Sequence, residues 1–268
     1  MKKIIITAIS MITTLTLLAG CSGNSDKNNG QDSEKNTLTV GFDQNFPPYG
    51  YVGDDGEFTG FDIDLAKEAA KRMDLELTLQ PIDWDSKDLE LSSKAIDCIW
   101  NGFTINGRED DYTWTVPYMD NSQVFVVKTS SNITTFDDLK GKIVTAQADS
   151  AALHALEEDD YKELTASFKE LVTRADYNTA FMELEAGSID AIAMDIGVAK
   201  YQIEGKEDEY IILEEPIVEE QYGVGFLLGN TELRDKVQAT LEEMVEDGTF
   251  SKISNDWFGY DVGIIGKQ

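Results

Sequence analysis

Short apolar segments typical of β-strands alternate with segments of helical periodicity from residue 38 onward. Residues 38–43 form a short, β-prone segment. Phe61, Leu65, Ala69 and Met73 then recur every four residues, which places them on one face of an amphipathic helix. Strands and helices in alternating order are typical of mostly parallel sheets covered by helices, so the pattern predicts an α/β fold.

The alternation continues along the chain, with further strands predicted over 75–80, 96–100, 122–127, 142–146, 189–195 and 222–228. Helices are predicted over 176–186 and 233–245, the second ended near Gly248. In sheets of this kind, ligands sit at the carboxyl ends of the strands, where loops and helix N-termini meet. Polar residues at these positions are therefore the candidates for binding.

The first residues have the layout of a secretory signal peptide. Lys2 and Lys3 form a basic start, and residues 4–18 are apolar apart from small Ser and Thr, too short a core for a spanning helix. The segment ends in Leu-Ala-Gly-Cys at 18–21, which resembles the lipobox of bacterial lipoproteins and implies a diacylglycerol on Cys21. The alternative is an ordinary signal peptide whose cleavage site includes a cysteine. Residues 1–20 are thus predicted to be a lipoprotein signal peptide.

Residues 22–36 contain only Ser, Gly, Asn, Asp, Lys, Gln and Glu, none of which can build a core. Together with a lipidated Cys21 they predict a flexible tether over 21–36. Folding is expected to begin near Thr37, which leaves roughly 230 residues for two modest lobes or one large domain.

The charge balance excludes several classes of function. The chain has 22 basic and 51 acidic residues, a net charge of −29, which repels nucleic acid and anionic lipid surfaces. Cys98 lies in the apolar run 96–100 and is expected to be a small buried hydrophobe. With His154 as the single histidine, a zinc site of the usual kind is not expected, and no cofactor is predicted.

A series of short motifs, each weak alone, occurs in a fixed order over some 220 residues. They are Gly41-Phe42-Asp43 with Phe46-Pro47-Pro48-Tyr49, Gly60-Phe61-Asp62-Ile63-Asp64-Leu65, Asn101-Gly102-Phe103-Thr104-Ile105 followed by Arg108, Pro117-Tyr118, Leu139-Lys140-Gly141-Lys142, Gly187-Ser188-Ile189-Asp190-Ala191 through Asp195, Tyr222-Gly223-Val224, and Trp257-Phe258-Gly259. In these residues the chain resembles the bacterial extracytoplasmic solute-binding proteins, family 3, the polar amino acid binding lipoproteins of ABC importers. The resemblance covers residues 37–259.

The resemblance implies a fold of the type II periplasmic-binding-protein class, with two α/β lobes of mainly parallel sheets joined by a two-strand hinge. Lobe 1 would be 37–117 plus 222–268, and lobe 2 would be 126–216. The hinge crossovers would be 118–125 and 217–221. Closure of the hinge around a small ligand is a recognised switching mode, driven by contacts that form only in the closed state.

The resemblance also implies a site for the two charges of a free amino acid. Arg108 would hold the α-carboxylate through two parallel hydrogen bonds, with Thr104 beside it. Counting forward from Thr104, the family's arginine falls at Glu109; counting back from Pro117, it falls at Arg108, which we adopt because Glu109 would repel a carboxylate. The alternatives are a surface arginine and a threonine placed by strand propensity.

Asp195 would hold the α-ammonium, since it ends a predicted buried strand and a buried charge needs a partner. Ser150 would help to bind the carboxylate at the start of a helix. For both residues an ordinary helix cap is the alternative, and for Ser150 it is nearly as well supported, because Asp149 stands where the family often has glycine.

Phe46 and Trp84 would sandwich the ligand side chain, with core packing as the alternative. Asn101 and Gly102 belong to the same implied ligand-binding set. Asp43 and Asp83 would lie near the far end of this slot, where either could favour a cationic side chain or bind a neutral polar one.

These implications predict an extracytoplasmic, lipid-anchored, monomeric protein that binds a free polar amino acid and delivers it to the permease of an ABC transporter. Glutamine, another neutral polar amino acid, cystine and a basic amino acid all fit an aromatic slot with nearby aspartates. One alternative is an amino-acid sensor that reports to a separate membrane receptor. The other is a dehydratase or lyase on the same fold, which would need a general acid or base in the cleft.

Overall fold

The computed structural model describes residues 36–267. The predicted signal peptide, Cys21 and all but the last residue of the predicted tether lie outside the described residues. The strands are β1 Thr37–Phe42, β2 Asn45–Phe46, β3 Gly50–Val52, β4 Phe58–Thr59, β5 Glu76–Pro81, β6 Cys98–Thr104, β7 Tyr112–Trp114, β8 Met119–Lys128, β9 Ile143–Gln147, β10 Glu170–Arg174, β11 Ala191–Asp195, β12 Tyr210–Ile212 and β13 Val218–Leu227. The helices are α1 Phe61–Arg72, α2 Lys87–Ser92, α3 Ala151–Glu157, α4 Lys162–Ser167, α5 Tyr177–Ala186, α6 Ile196–Ile203, α7 Thr231–Glu246 and α8 Thr249–Phe258.

The first strand-helix-strand unit follows the predicted periodicity. Helix α1 buries Phe61, Leu65 and Ala69, which share one face, while Asp62 and Asp64 lie in its first turn, where the helix dipole favours negative charge. Its flanking strands, β1 and β5, pair in parallel. This is the crossover that a buried helical face between two strands predicts.

Ten strands form one mixed sheet in the order β10-β9-β11-β8-β13-β6-β1-β5, with β12 beside β8 and β7 beside β13. The pairs at the two ends of this order, β10-β9, β9-β11, β6-β1 and β1-β5, are parallel. Around the two long strands β8 and β13 the pairing is antiparallel. These two strands join both ends of the sheet, and their paired residues run from Met119 to Gln123 and from Val218 to Tyr222.

The largest hydrophobic core cluster extends across both ends of the sheet. It combines Val40 of β1 and Cys98 of β6 with Met194 of β11 and Tyr222 of β13, all at 0% exposure. Cys98 is therefore packed in the core, as its apolar surroundings in the sequence predict. A second cluster, around Phe125, packs under α3 and α4.

Within residues 36–267, no helix combines the length and the apolar character that crossing a membrane requires. The same residues contain no group of His, Cys, Asp or Glu side chains suited to holding a metal ion.

Candidate ligand-binding site

One small cavity lies where β6, β9 and β11 end. Its lining residues are Phe46, Trp84, Asn101, Gly102, Thr104, Arg108, Gln147, Ser150, Ala151 and Asp195. All the ligand-binding residues predicted from the sequence are in this set except Asp43. The cavity contains about 20 Å³ of free space, enough for about one water molecule.

Arg108 is a buried cation that is held only by backbone carbonyls among the described residues. Its Nη2 donates to the carbonyl oxygen of Asp149 at 3.1 Å, and its Nη1 lies 3.4 Å from the carbonyl oxygen of Thr104. The guanidinium carbon lies 5.5 Å from the ring centre of Phe103, a cation-π contact. With 6% exposure, Arg108 is not the surface arginine of the alternative interpretation, whereas Glu109 is exposed. A buried guanidinium with no carboxylate partner is suited to binding an anion.

Strand β6 carries Asn101, Gly102 and Thr104 to the cavity wall, and every residue of the strand is buried. The Gly102 N–H donates to Asp62 Oδ2 at 2.5 Å, with Gly102 at φ +55°, a region that favours glycine. Asp62 of α1, which the sequence did not indicate as a site residue, therefore holds the backbone of β6 in place at Gly102. Both polar atoms of the Asn101 side chain are buried without a hydrogen-bond partner in the described chain.

Asp195 follows β11 and precedes α6, but its side chain makes no capping bond to that helix. Instead Oδ1 accepts hydrogen bonds from Asn121 Nδ2 at 2.9 Å, Gln123 Nε2 at 2.8 Å and the Tyr222 hydroxyl at 2.5 Å. Burial raises the pKa of Asp195. Since all three bonds go to Oδ1, the second carboxylate oxygen is the one left to meet a cation in the cavity.

The aromatic wall is formed by Phe46 and Trp84. Phe46 packs in the main core against Tyr49 and Tyr177, with ring centres 5.6 and 6.1 Å apart. Trp84 packs edge-on against Phe103 at 5.4 Å, and its indole N–H donates to the Asp149 carbonyl at 3.2 Å. Both rings serve the core and the cavity at once, so the two interpretations of these residues do not exclude each other.

Ser150 caps α3, since its Oγ accepts the Leu153 N–H at 3.1 Å while the residue also lines the cavity. The preceding Asp149 stands at φ +56°, and its carboxylate pairs with Lys87 of α2 and with His154 Nε2, the latter at 2.9 Å. Partial burial opposes ionisation, but the hydrogen bonds from His154 and Lys87 lower the pKa of Asp149. Lys87 is 1% exposed, so this pair joins α2 to the loop before α3.

Asp43 does not reach the cavity, because Gln147 lies between them. Gln147 Nε2 donates to Asp43 Oδ2 at 2.7 Å, and burial raises the pKa of Asp43 to about 6. Asp43 and Asp83 instead line an adjacent recess on the other side of Trp84.

Several residues of the site were not among the ligand-binding residues predicted from the sequence. Gln147 and Ala151 line the cavity directly, while Asn121, Gln123 and Tyr222 hold Asp195. Gln147 follows the strand predicted over 142–146 and could have been found by that position, and Tyr222 stands in the Tyr222-Gly223-Val224 motif. The places of Asn121 and Gln123 depend on the pairing of β8 with β11 and β13, which only the structure gives.

The sequence matches the family of bacterial extracellular solute-binding proteins, family 3, over residues 38–260. It is 31% identical to the L-cystine-binding protein TcyJ of Escherichia coli K12, over 95% of this chain and 96% of TcyJ. It is also 31% identical to the L-cystine-binding protein TcyA of Bacillus subtilis 168, over 98% of this chain and 99% of TcyA. An ABC uptake transporter substrate-binding protein of Streptococcus pneumoniae, solved with bound histidine, superimposes with a TM-score of 0.81 at 35% identity, covering 85% of this chain and 94% of that chain.

The family match runs from the first strand to the last helix, and the structural match covers 85% of the chain. They confirm the α/β fold class predicted from the motifs. The chain belongs to the bacterial extracellular solute-binding proteins, family 3.

Proposed function

We propose that this protein captures a free polar amino acid outside the cytoplasm and delivers it to the permease of an ABC importer. One observation carries the proposal: the Arg108 guanidinium and the Asp195 carboxylate, both buried, open onto one cavity, and neither pairs with an opposite charge among residues 36–267. Every free α-amino acid brings the two complementary charges. A buried charge without a partner costs several kcal/mol, so a zwitterion would compensate both at once.

The remaining lining residues fit the rest of such a ligand. Thr104 lies beside Arg108 in the cavity wall, where its backbone carbonyl meets the guanidinium while its side chain hydrogen-bonds Glu220. Phe46 and Trp84 supply the apolar walls for the aliphatic part of the ligand.

The ligand enters when the two lobes move apart by bending of the chain at the paired strands β8 and β13. A free space of about 20 Å³ is too small for an amino acid, so the segments around the cavity must move apart. The predicted crossovers, 118–125 and 217–221, overlap the part of β8 and β13 that pairs. We place the hinge there, between a lobe of 37–117 plus 222–268 and a lobe of 126–216.

The identity of the ligand is open to a direct test. Two relatives are named for L-cystine and one was solved with histidine, which supports a polar amino acid with a bulky side chain. A thermal-shift screen of the purified protein against all amino acids and cystine decides this. A ligand at 100 times its Kd adds about 2.7 kcal/mol of stability. For a chain of this size that raises Tm by about 5–10 °C. A screen in which none of these compounds raises Tm contradicts the proposal.

We propose further that Cys21 carries a lipid anchor. The support is the lipobox at 18–21 and the polar segment after it, which lie outside the described residues. Two or more acyl chains, at about 0.8 kcal/mol per buried methylene, hold a protein stably on a membrane. Expressed in a bacterial host, the wild type is expected in the detergent phase on partitioning and Cys21→Ser in the aqueous phase. Equal partitioning of the two proteins would show that Cys21 carries no lipid anchor.

The alternatives predict different observations. A sensor would bind the amino acid equally well but would not support uptake. A transport assay with the permease and ATPase of an ABC importer encoded beside this protein would distinguish the two. An enzyme would convert the ligand. The relatives are described as binding proteins, which supports capture without chemical change.

A further inference from the structure

Two buried carboxyl groups, those of Asp195 and Glu220, are joined by a closed ring of hydrogen bonds. Asn121 Nδ2 donates to Asp195 Oδ1 at 2.9 Å and to Glu220 Oε1 at 2.6 Å. Gln123 Nε2 donates to the same two oxygens at 2.8 and 2.7 Å. Each amide thus uses both of its hydrogens, one for each carboxyl group.

The ring follows from the register of three strands. In β8, Asn121 and Gln123 are two residues apart and point to the same face. Asn121 is the partner of Glu220 in β13, and Gln123 is the partner of Asp195 in β11. The amide oxygens of Asn121 and Gln123 are buried without a partner in the described chain, so both side chains are committed to donating to the carboxyl groups.

The ring holds two acidic groups with no cation of the described chain bound to either. Both residues are 4% exposed, and two adjacent anions in such a place repel each other. Burial and the neighbouring Asp195 raise the pKa of Glu220 to about 7, and burial raises the pKa of Asp195. Near neutral pH the pair therefore retains part of a proton.

We infer that Glu220 is a positioning residue for the ligand's ammonium group: through Asn121 and Gln123 it holds Asp195 in place, and the pair releases a proton to solvent when an ammonium binds. The inference rests on the proposed function, since it assigns an ammonium to Asp195. Beyond that function, it assigns a role to Glu220 and links ligand binding to the release of a proton.

The other titratable groups around the pair are not the source of the released proton. Three tyrosines near Asp195 have pKa values far above their usual range because they are buried, so they stay neutral; they are Tyr49, Tyr177 and Tyr222. Three basic side chains border cavities that Glu220 also borders, but none is paired with it: Arg108, His154 and Lys200. The acidic side chains bordering those cavities are Asp120, Glu158, Asp160 and Glu219.

The sign of the pH effect follows from the direction of the pKa shift. The unliganded pair binds a proton with a raised pKa, and an ammonium lowers that pKa because it favours the charged form. Affinity is therefore lost as pH falls through the raised value of about 7. With one linked proton, Kd should be about tenfold higher at pH 6 than at pH 8.

The test is isothermal titration calorimetry of the purified protein with the amino acid that gives the largest shift in the thermal screen. Titrations at pH 7 in phosphate and in Tris, whose ionisation enthalpies differ, give the number of protons released. The wild type is expected to release roughly half a proton per ligand. Glu220→Gln keeps an acceptor for both amides, and should release no proton and bind with a Kd that varies less than about twofold between pH 6 and 8. Glu219→Gln, an exposed neighbour on the same strand, is the matched control and should behave as the wild type.

The outcomes separate this inference from the proposed function. If the wild type binds the amino acid without releasing a proton, the inference is wrong and the binding function stands, whether or not the Glu220 variant folds. If Glu220→Gln weakens binding equally at every pH and still releases the proton, Glu220 has only a structural role. If no amino acid binds, the proposed function itself fails.

Discussion

Replacing Arg108 with methionine tests the proposed binding mode most directly. Methionine keeps the bulk and the apolar stem but removes the planar cation that would hold the ligand carboxylate. The protein loses a 3.1 Å hydrogen bond to the Asp149 carbonyl and a weaker contact of 3.4 Å to Thr104. It also loses a buried charge that has no carboxylate partner in the described chain. These effects oppose each other, so the unliganded variant should keep its stability within about 1 kcal/mol.

The effect on binding should be much larger. In the variant, the ligand carboxylate is buried without its partner, which typically costs about 2–5 kcal/mol. This corresponds to a Kd roughly 30- to 4,000-fold higher. Arg108→Lys keeps the charge but not the two-pronged geometry, and should fall between the wild type and the methionine variant.

The assay is calorimetric titration with the amino acid found in the screen, at one salt concentration, with Tm measured on each unliganded variant. Glu109→Gln is the matched control, because Glu109 is adjacent and exposed and takes the arginine's place in the other alignment of this loop. If the Glu109 variant loses binding while Arg108→Met keeps it, the alignment is wrong. If neither variant changes Kd, the carboxylate is held elsewhere and the binding mode is refuted.

Three further perturbations address the walls of the site and its connections. Trp84→Ala should weaken binding by about 1–3 kcal/mol in calorimetry, whereas an unchanged Kd with a lowered Tm would assign Trp84 to the core alone. Asp195→Asn keeps the shape of the side chain but removes the charge that meets the ammonium, so the same titration should show a loss of about 2–5 kcal/mol; a wild-type Kd would contradict that role. Lys87→Met should lower the free energy of unfolding by about 1–3 kcal/mol, as measured by denaturant unfolding. This loss is smaller than that of a fully buried ion pair, because Asp149 is partly exposed to solvent. Combined with Asp149→Asn it should cost less than the sum of the two single changes, and additivity would show that the ion pair contributes nothing.

The sequence predicted the elements whose burial follows a simple period. The four-residue spacing from Phe61 gave α1 almost to the residue. The apolar run 96–100 located β6, although the strand begins two residues later than predicted, at Cys98. The prediction ended that strand at Trp100, but it continues through Asn101 and Gly102 to Thr104. Asn and Gly are poor strand formers, and it is the pairing with β13 that carries them into the sheet.

The supporting residues of the site could not be predicted in the same way. The strand predicted over 222–228 begins earlier, at Val218, because residues 218–222 pair with β8, and this pairing buries Glu220 in the ring with Asn121 and Gln123. A glutamate in an acidic stretch gives no sign of burial, and the amides that satisfy it lie about a hundred positions away along the chain. The resemblance placed Arg108 and Asp195 at the cavity. The residues that hold Asp195 are brought there by the register of β8 with β11 and β13, which is a property of the folded sheet.

The backbone of Asp149 restricts which residues this position can accept during evolution. At φ +56°, in the left-handed region, glycine, asparagine and aspartate are the residues accommodated most easily. Each would leave the carbonyl that meets Arg108 and Trp84 where it is, yet they differ in what they offer Lys87: nothing, a neutral amide, or a charge. Single-codon changes at this position would therefore adjust how firmly the loop before α3 is tied to α2 while the ligand contacts stay the same.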